Sequence, residues 1–315
     1  MITRRAKKRM QRLFVLIFVG ITFILFISSF FIKAKKTSGL VSPLILSPSL
    51  SSKPPAVLSV TSSGGLDNAV KSALEGTKGT YGVFIKNLND KETYVLNEHE
   101  EFDAGSLYKL WVMAQTFKLI ESGDLKEDLV LTDTIPSLNK KFSISDEFAE
   151  LTEGSITLTV SSALNQMITI SHNYAALLLT AKIRLSSVDS FLKNNGFSQS
   201  RVGKSGESPT TTAYDVALFF EKLYAGELAT SENTEKMINL LKNQKLNNKL
   251  PKNLAKGVVI AHKTGEIGQF THDAGVVYLA DKNYIIAVLS KSEIPAAAED
   301  RIANISKNVY EYFLK

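Results

Sequence analysis

Strand-like runs stand at both ends of the body of this chain, and a mostly helical stretch separates them. Tyr81–Leu88 and Glu92–Asn97 read as strands joined by the turn Asn89-Asp90-Lys91. Beyond Pro251 the runs Val258–Lys263, Ala274–Ala280 and Tyr284–Lys291 read as three more antiparallel strands, with Asp281-Lys282-Asn283 as a turn. Between these groups, apolar periodicity predicts helices over Leu107–Glu121 and near 157–167, 173–184, 187–194, 212–225 and 231–243. Leu66–Glu75 and Ala296–Phe313 add a helix at each end. Such a pattern forms one sheet only if the two ends of the chain meet. The expected fold is therefore α+β, with an antiparallel sheet of about five strands built from N- and C-terminal segments, flanked by helices and carrying a central helical subdomain.

The N-terminal part has a different character. Leu13–Ile32 is free of charge and, at about 1.5 Å rise per residue, long enough to span a bilayer as a helix. Six cations precede it (Arg4, Arg5, Lys7, Lys8, Arg9, Arg12) and three follow it (Lys33, Lys35, Lys36), so the short tail 1–12 is expected in the cytoplasm. The apolar run exceeds a usual signal-peptide core, and no small-x-small cleavage site follows it closely, so it reads as an uncleaved single-pass anchor. Residues 33–66, rich in Ser and Pro, read as an extended tether leading to a folded domain over 67–315, outside the membrane. The net charge of +6 comes from this end. Residues 1–36 hold nine Lys or Arg and no acid, which leaves −3 (+6 less nine) for the rest and argues against a nucleic-acid surface. With no cysteine, an exported domain must be held by its core alone.

Ser106-Leu107-Tyr108-Lys109 opens an apolar run after the turn-like Phe102-Asp103-Ala104-Gly105. A serine and a lysine three residues apart on a helix share a face, so the amine can take the hydroxyl proton. The pattern alone is weak. Ser137-Leu138-Asn139-Lys140 and Ser190-Phe191-Leu192-Lys193 match it equally well, and a serine at a helix start is ordinarily a cap. Two further stretches choose among them: Ser171-His172-Asn173 at the start of an apolar helix, and Lys263-Thr264-Gly265 after the strand-like Val258-Val259-Ile260-Ala261-His262.

In order and setting these three stretches resemble the penicillin-recognising serine enzymes, the class A β-lactamases and penicillin-binding proteins. Ser208-Pro209-Thr210-Thr211-Thr212-Ala213-Tyr214-Asp215 and His272-Asp273-Ala274-Gly275-Val276-Val277 also look like class A sequence, so the likeness spans roughly residues 67–315. The resemblance implies that Ser106 attacks an amide carbonyl, that Lys109 takes its proton, and that Ser171 relays a proton to the leaving nitrogen. It implies substrate contacts from Asn173 and Lys263, and from Thr264 to a substrate carboxylate. It further implies a close backbone approach at Gly265 and an oxyanion hole from the N–H groups of Ser106 and Glu266.

His172 and His262 fall inside the expected site and His272 on a neighbouring strand, but closely spaced metal ligands are missing from the sequence, so no metal and no cofactor is expected. Asp273 is expected to brace the sheet rather than to do chemistry. The expected partners are a β-lactam or peptidoglycan-derived substrate and the membrane, and the expected form is a monomer.

Two departures from the family pattern matter. His172 stands where the second motif has Asp, and between Gly196 and Thr212 there is no Glu-x-x-Leu-Asn stretch to orient a deacylating water. Glu207 is the one substitute in that segment, and a surface carboxylate is its ordinary reading. Three readings stay open: an anchored class A-type hydrolase of β-lactams or related cell-wall amides, a D-alanyl-D-alanine carboxypeptidase or transpeptidase, and a penicillin-binding sensor without turnover.

Overall fold

The computed structural model describes residues 64–203 and 206–315. The expected anchor Leu13–Ile32, the tail before it and nearly all of the tether lie outside the described residues, among which no helix is long and apolar enough to cross a membrane.

The two ends of the domain meet in one sheet. Strands β1 (Thr80–Asn87) and β2 (Thr93–Leu96) from the N-terminal side join β7 (Val259–Ile267), β8 (Phe270–Tyr278) and β9 (Tyr284–Lys291) in the antiparallel order β2-β1-β9-β8-β7. The joining ladder pairs Thr80 with Lys291 and runs to Asn87 with Tyr284. β9 is apolar and buried over nearly its whole length because both faces of the sheet are covered. On one face lie α1 (Gly64–Leu74) and α9 (Pro295–Phe313), whose Leu66, Val70, Ile302, Ile305 and Val309 pack with Val83, Ile286 and Val288. Burying each such side chain is worth about 1.5–3 kcal/mol.

The other face carries the helical body: α2 (Lys109–Glu121), α4 (Val160–Thr169), α5 (Asn173–Ile183), α6 (Leu185–Asn194), α7 (Ala213–Tyr224) and α8 (Ser231–Lys242). Its core centres on α2, where Leu110, Trp111, Val112, Met113, Ala114 and Phe117 are all buried. A helix buried this completely shows little amphipathic contrast, as an element surrounded by others should.

The expected antiparallel sheet and helical subdomain are present, with local differences, among them β8, which spans Phe270–Tyr278 rather than Ala274–Ala280. Leu107–Glu121 is not one helix: a 3-10 turn, Gly105–Tyr108, precedes α2. β7 runs on through Lys263-Thr264-Gly265 to Ile267, so the third motif lies within an edge strand rather than at its end. The periodic run near 157–167 begins as strand β5 (Ser155–Thr159), paired with β4 (Val130–Thr134), before Thr159 caps α4 by accepting from Ser162 N–H at 3.1 Å. A short helix, α3 (Ile135–Lys141), follows β4 and carries Ser137 and Lys140.

Candidate active site

The turn that presents Ser106 is held from four sides. β3 (Phe102–Asp103) pairs with β6 (Thr210–Thr211), and Ala104 N–H donates to Pro209 O at 2.8 Å. His272 Nδ1 accepts from Ser290 N–H at 3.1 Å, so its proton is on Nε2, which donates to Asp103 O at 2.8 Å. Burial lowers the His272 pKa to about 4, which keeps the imidazole neutral in that tautomer. Finally, Gly105 at φ +49° packs on β7 so closely that a Cβ there would sit 2.8 Å from Glu266 N. Only a residue without a side chain combines that dihedral with that contact. Gly265 meets the turn from the strand side, where an added Cβ would lie 2.9 Å from both Ala104 O and Leu107 Cγ. Its lack of a side chain thus serves the docking of strand and turn, in addition to the approach to ligand expected from the sequence.

Within the turn, Lys109 N–H donates to Ser106 O, a three-residue bond that eclipses the two side chains and sets them on one face. Lys109 is the first residue of α2 and is fully buried. Its Nζ donates to Ser171 O at 2.5 Å and to Asn173 Oδ1 at 2.8 Å, and lies 3.1 Å from Ser171 Oγ. Lys263, also fully buried, sends Nζ to the same Ser171 Oγ at 3.0 Å and to Thr264 O at 2.9 Å. Three stretches far apart in sequence therefore converge on one hydroxyl.

Two amines on one buried oxygen cannot both hold a proton cheaply. Burial, reinforced by the Lys263 ammonium, holds Lys109 well below the lysine range against the opposing pull of Glu150. Burial lowers Lys263 to about 7, with Asp273 pulling it back up and Lys249 pushing it further down.

Ser171 reaches this position because the chain leaves α4 in a tight reversal, with His172 N–H donating to Gln166 O at 3.1 Å and Ser171 at φ +58°. A non-glycine residue in that region costs about 1–2 kcal/mol. α5 starts immediately afterwards, capped by His172, whose Nδ1 accepts from Ala175 N–H at 3.1 Å. The His found where the second motif has Asp thus supplies the acceptor a helix start needs. Burial pushes its pKa down, with Glu150 opposing and Lys109 assisting, which favours the neutral ring that can accept.

The other matches to the first motif lie apart from this cluster. Ser137 N–H is capped by Thr134 at 3.2 Å beside an exposed Lys140, and Ser190 bonds back to Ser186 O while Lys193 pairs with Asp189 at 2.7 Å.

A family model described as the β-lactamase enzyme family matches residues 65–313. The chain belongs to the β-lactamase enzyme family. Among curated proteins it is similar to β-lactamase VEB-1 of Pseudomonas aeruginosa, 25% identical over 273 residues that cover 78% of this chain and 89% of that protein. Its fold is similar to that of PBP-A, with a TM-score of 0.69 at 22% identity, covering 81% of this chain and 99% of that one. It is also similar to a β-lactamase from Sphaerobacter thermophilus DSM 20745, with a TM-score of 0.68 at 21% identity, covering 79% and 95%.

Within this class A β-lactamase-like serine enzyme, other expected residues fall outside the cluster. Glu207 is exposed and lines a cavity of about 130 Å³ with Tyr108, Trp111, Phe142, Leu177, Val188 and Pro209. His262, expected inside the site, is instead held by Asp273 Oδ1 at 2.9 Å and Asn247 at 3.1 Å. Asp273 braces the sheet as expected, its other oxygen accepting from Leu250 N–H at 3.0 Å.

Two residues that sequence reasoning missed border the site. Lys249, fully buried, pairs with the Glu266 carboxylate and lies 3.9 Å from Glu299. Glu150, in the loop between α3 and β5, accepts from Asn173 Nδ2 at 3.1 Å. Neither carries a motif signal. Among the described residues no cluster of three His, Cys, Asp or Glu could hold a metal ion.

Proposed function

We propose that this protein is an anchored serine hydrolase in which Ser106 is acylated by a β-lactam or a related cell-wall amide. The observation that carries the reading is the shared Ser171 hydroxyl, 3.1 Å from Lys109 Nζ and 3.0 Å from Lys263 Nζ.

A neutral Lys109 accepts the Ser106 hydroxyl proton as Oγ bonds to the amide carbonyl carbon. The tetrahedral oxyanion is held by the N–H groups of Ser106 and Glu266, whose backbones adjoin where Gly105 packs on β7. Each such donor is worth roughly 100- to 1000-fold in rate. As the C–N bond breaks, the proton passes from Lys109 through Ser171 Oγ to the leaving nitrogen, giving a Ser106 ester and a free amine. Lys263 and Thr264 attract the substrate carboxylate, and Asn173 donates to the acyl side chain.

Water then hydrolyses the ester to a carboxylic acid and restores Ser106. This second step is expected to be slow, because no Glu-x-x-Leu-Asn stretch to orient a deacylating water is present in the chain. A penicillin adduct followed by intact mass should persist beyond the roughly one-second scale of ordinary turnover. Decay faster than that would show that an efficient water-activating base is at work. A long-lived adduct together with release of D-alanine from a D-alanyl-D-alanine peptide would favour the peptidase reading.

The uncharged run Leu13–Ile32 and the excess of cations before it support an uncleaved single-pass anchor with the domain outside. N-terminal sequencing of the membrane-bound protein should begin before residue 13; a start beyond residue 32 would overturn the anchor.

A further inference from the structure

Glu150 holds a carboxylate against Asn173, the residue to which the proposed reading gives the acyl side chain. Asn173 is oriented by Lys109, whose Nζ donates to Oδ1 at 2.8 Å, so Nδ2 is the end turned outward, and it donates to Glu150 Oε2 at 3.1 Å. Glu150 is exposed on the loop Ser145–Leu151, which is fastened below by Asn139 Nδ2 donating to Leu151 O at 2.8 Å and Tyr174 Oη donating to the same carbonyl at 2.8 Å. The carboxylate is thus on an anchored support, with its head group at the mouth of the site.

A substrate carbonyl that took the Asn173 donor would leave Glu150 beside the acyl side chain. A second anion there is repelled, and a cation is paired. Burial disfavours the charged form of Lys109 behind Asn173, so that amine offsets this field less than a solvated lysine would.

We propose that Glu150 makes this site select acyl donors bearing an ammonium group on the carbon next to the side-chain carbonyl that Asn173 binds, and disfavour those bearing a carboxylate there. The inference rests on the acyl-enzyme reading above. It identifies the preferred donors as aminoacyl-type side chains, whether in a penicillin or in a cell-wall peptide.

Ampicillin, benzylpenicillin and carbenicillin share one nucleus and one phenyl group and carry ammonium, hydrogen and carboxylate on the same carbon. The readout is the second-order rate of adduct formation with the full-length protein, which does not depend on how fast the adduct decays. An exposed charge contact changes a rate up to about fivefold, so ampicillin should exceed carbenicillin by roughly 10- to 25-fold at low salt. The ratio should shrink as ionic strength rises. Glu150→Gln should lower the ratio about tenfold, and Glu150→Lys should invert it. A merely structural role for Glu150 would slow all three penicillins alike and leave the ratio unchanged, which would overturn the inference. Absence of adduct with every penicillin would instead defeat the acyl-enzyme reading, and this inference with it.

Discussion

Lys263 Nζ donates to Ser171 Oγ at 3.0 Å, with both groups buried and joined from distant parts of the chain. Because Lys109 Nζ lies 3.1 Å from the same oxygen, this hydroxyl links the two amines, and a proton leaving one can be replaced from the other.

Ser171→Gly isolates the hydroxyl from the backbone that carries it. Glycine relieves the φ of +58° but adds freedom to the unfolded chain, so stability should stay within about 1 kcal/mol of wild type by thermal unfolding. Adduct formation should fall at least about 100-fold, the ordinary size of a lost proton-transfer group. Rates within threefold of wild type would remove Ser171 from the proton path.

The two lysines set the pH profile in opposite senses. Lys109 acts as a base only when neutral, so adduct formation should fall as acid protonates it, at a pH well below the usual lysine value. Lys263 attracts an anionic substrate only when charged, so the rate should also fall as pH rises through about 7. A bell-shaped dependence of the second-order rate is expected. A rate still climbing steadily toward pH ~10 would contradict both assignments, since an unperturbed lysine base would behave that way.

Gly265→Ala should be costly, since its Cβ would crowd the Ser106 turn and the His272 ring that braces it. Its Cβ would lie 2.9 Å from Ala104 O and push the Ser106 turn away from β7. Stability should drop by about 1–3 kcal/mol, as in other overpacked sites. Adduct formation should fall more than stability explains, because the two oxyanion donors would separate. Normal adduct formation at full stability would show that the turn has room to spare.

His272 makes stability depend on pH. Its folded pKa of about 4 lies below the ordinary histidine value near 6.5, so between these limits the unfolded chain binds more protons than the folded one. Stability therefore rises with pH across that window, and the contribution is lost progressively on acidification toward 4. The full effect is about 3 kcal/mol. Urea unfolding should show this slope in the wild type and a shallower one in His272→Gln. Equal slopes would assign the acid sensitivity to other groups.

The sheet was legible because strand periodicity needs only a short window: Tyr284–Lys291 was read with its bounds unchanged. The 3-10 turn at Gly105–Tyr108 was not, since its cause is tertiary: β7 presses on Gly105 through Glu266 N, a contact invisible along the chain. The antiparallel β4–β5 pair was hidden for a different reason. Its strands expose much of their length and run directly into α3 and α4, so helical periodicity dominates any window that includes them. At the candidate site, motif order singles out Ser106, Lys109, Ser171, Asn173 and Lys263, the last four of which hydrogen bonds join. Glu150 and Lys249 act by position alone and have no fixed spacing from those motifs. His172 shows the reverse case, in which a departure from the motif keeps the capping acceptor and changes only its chemistry.

The nucleophile is the claim on which the rest depends. Full-length protein and its Ser106→Ala variant should be incubated with benzylpenicillin and analysed by intact mass and peptide mapping. The wild type is predicted to gain one penicilloyl group on the peptide containing Ser106, and the variant to gain none. An adduct that persists in Ser106→Ala, or that maps to Ser137 or Ser190, would contradict the account.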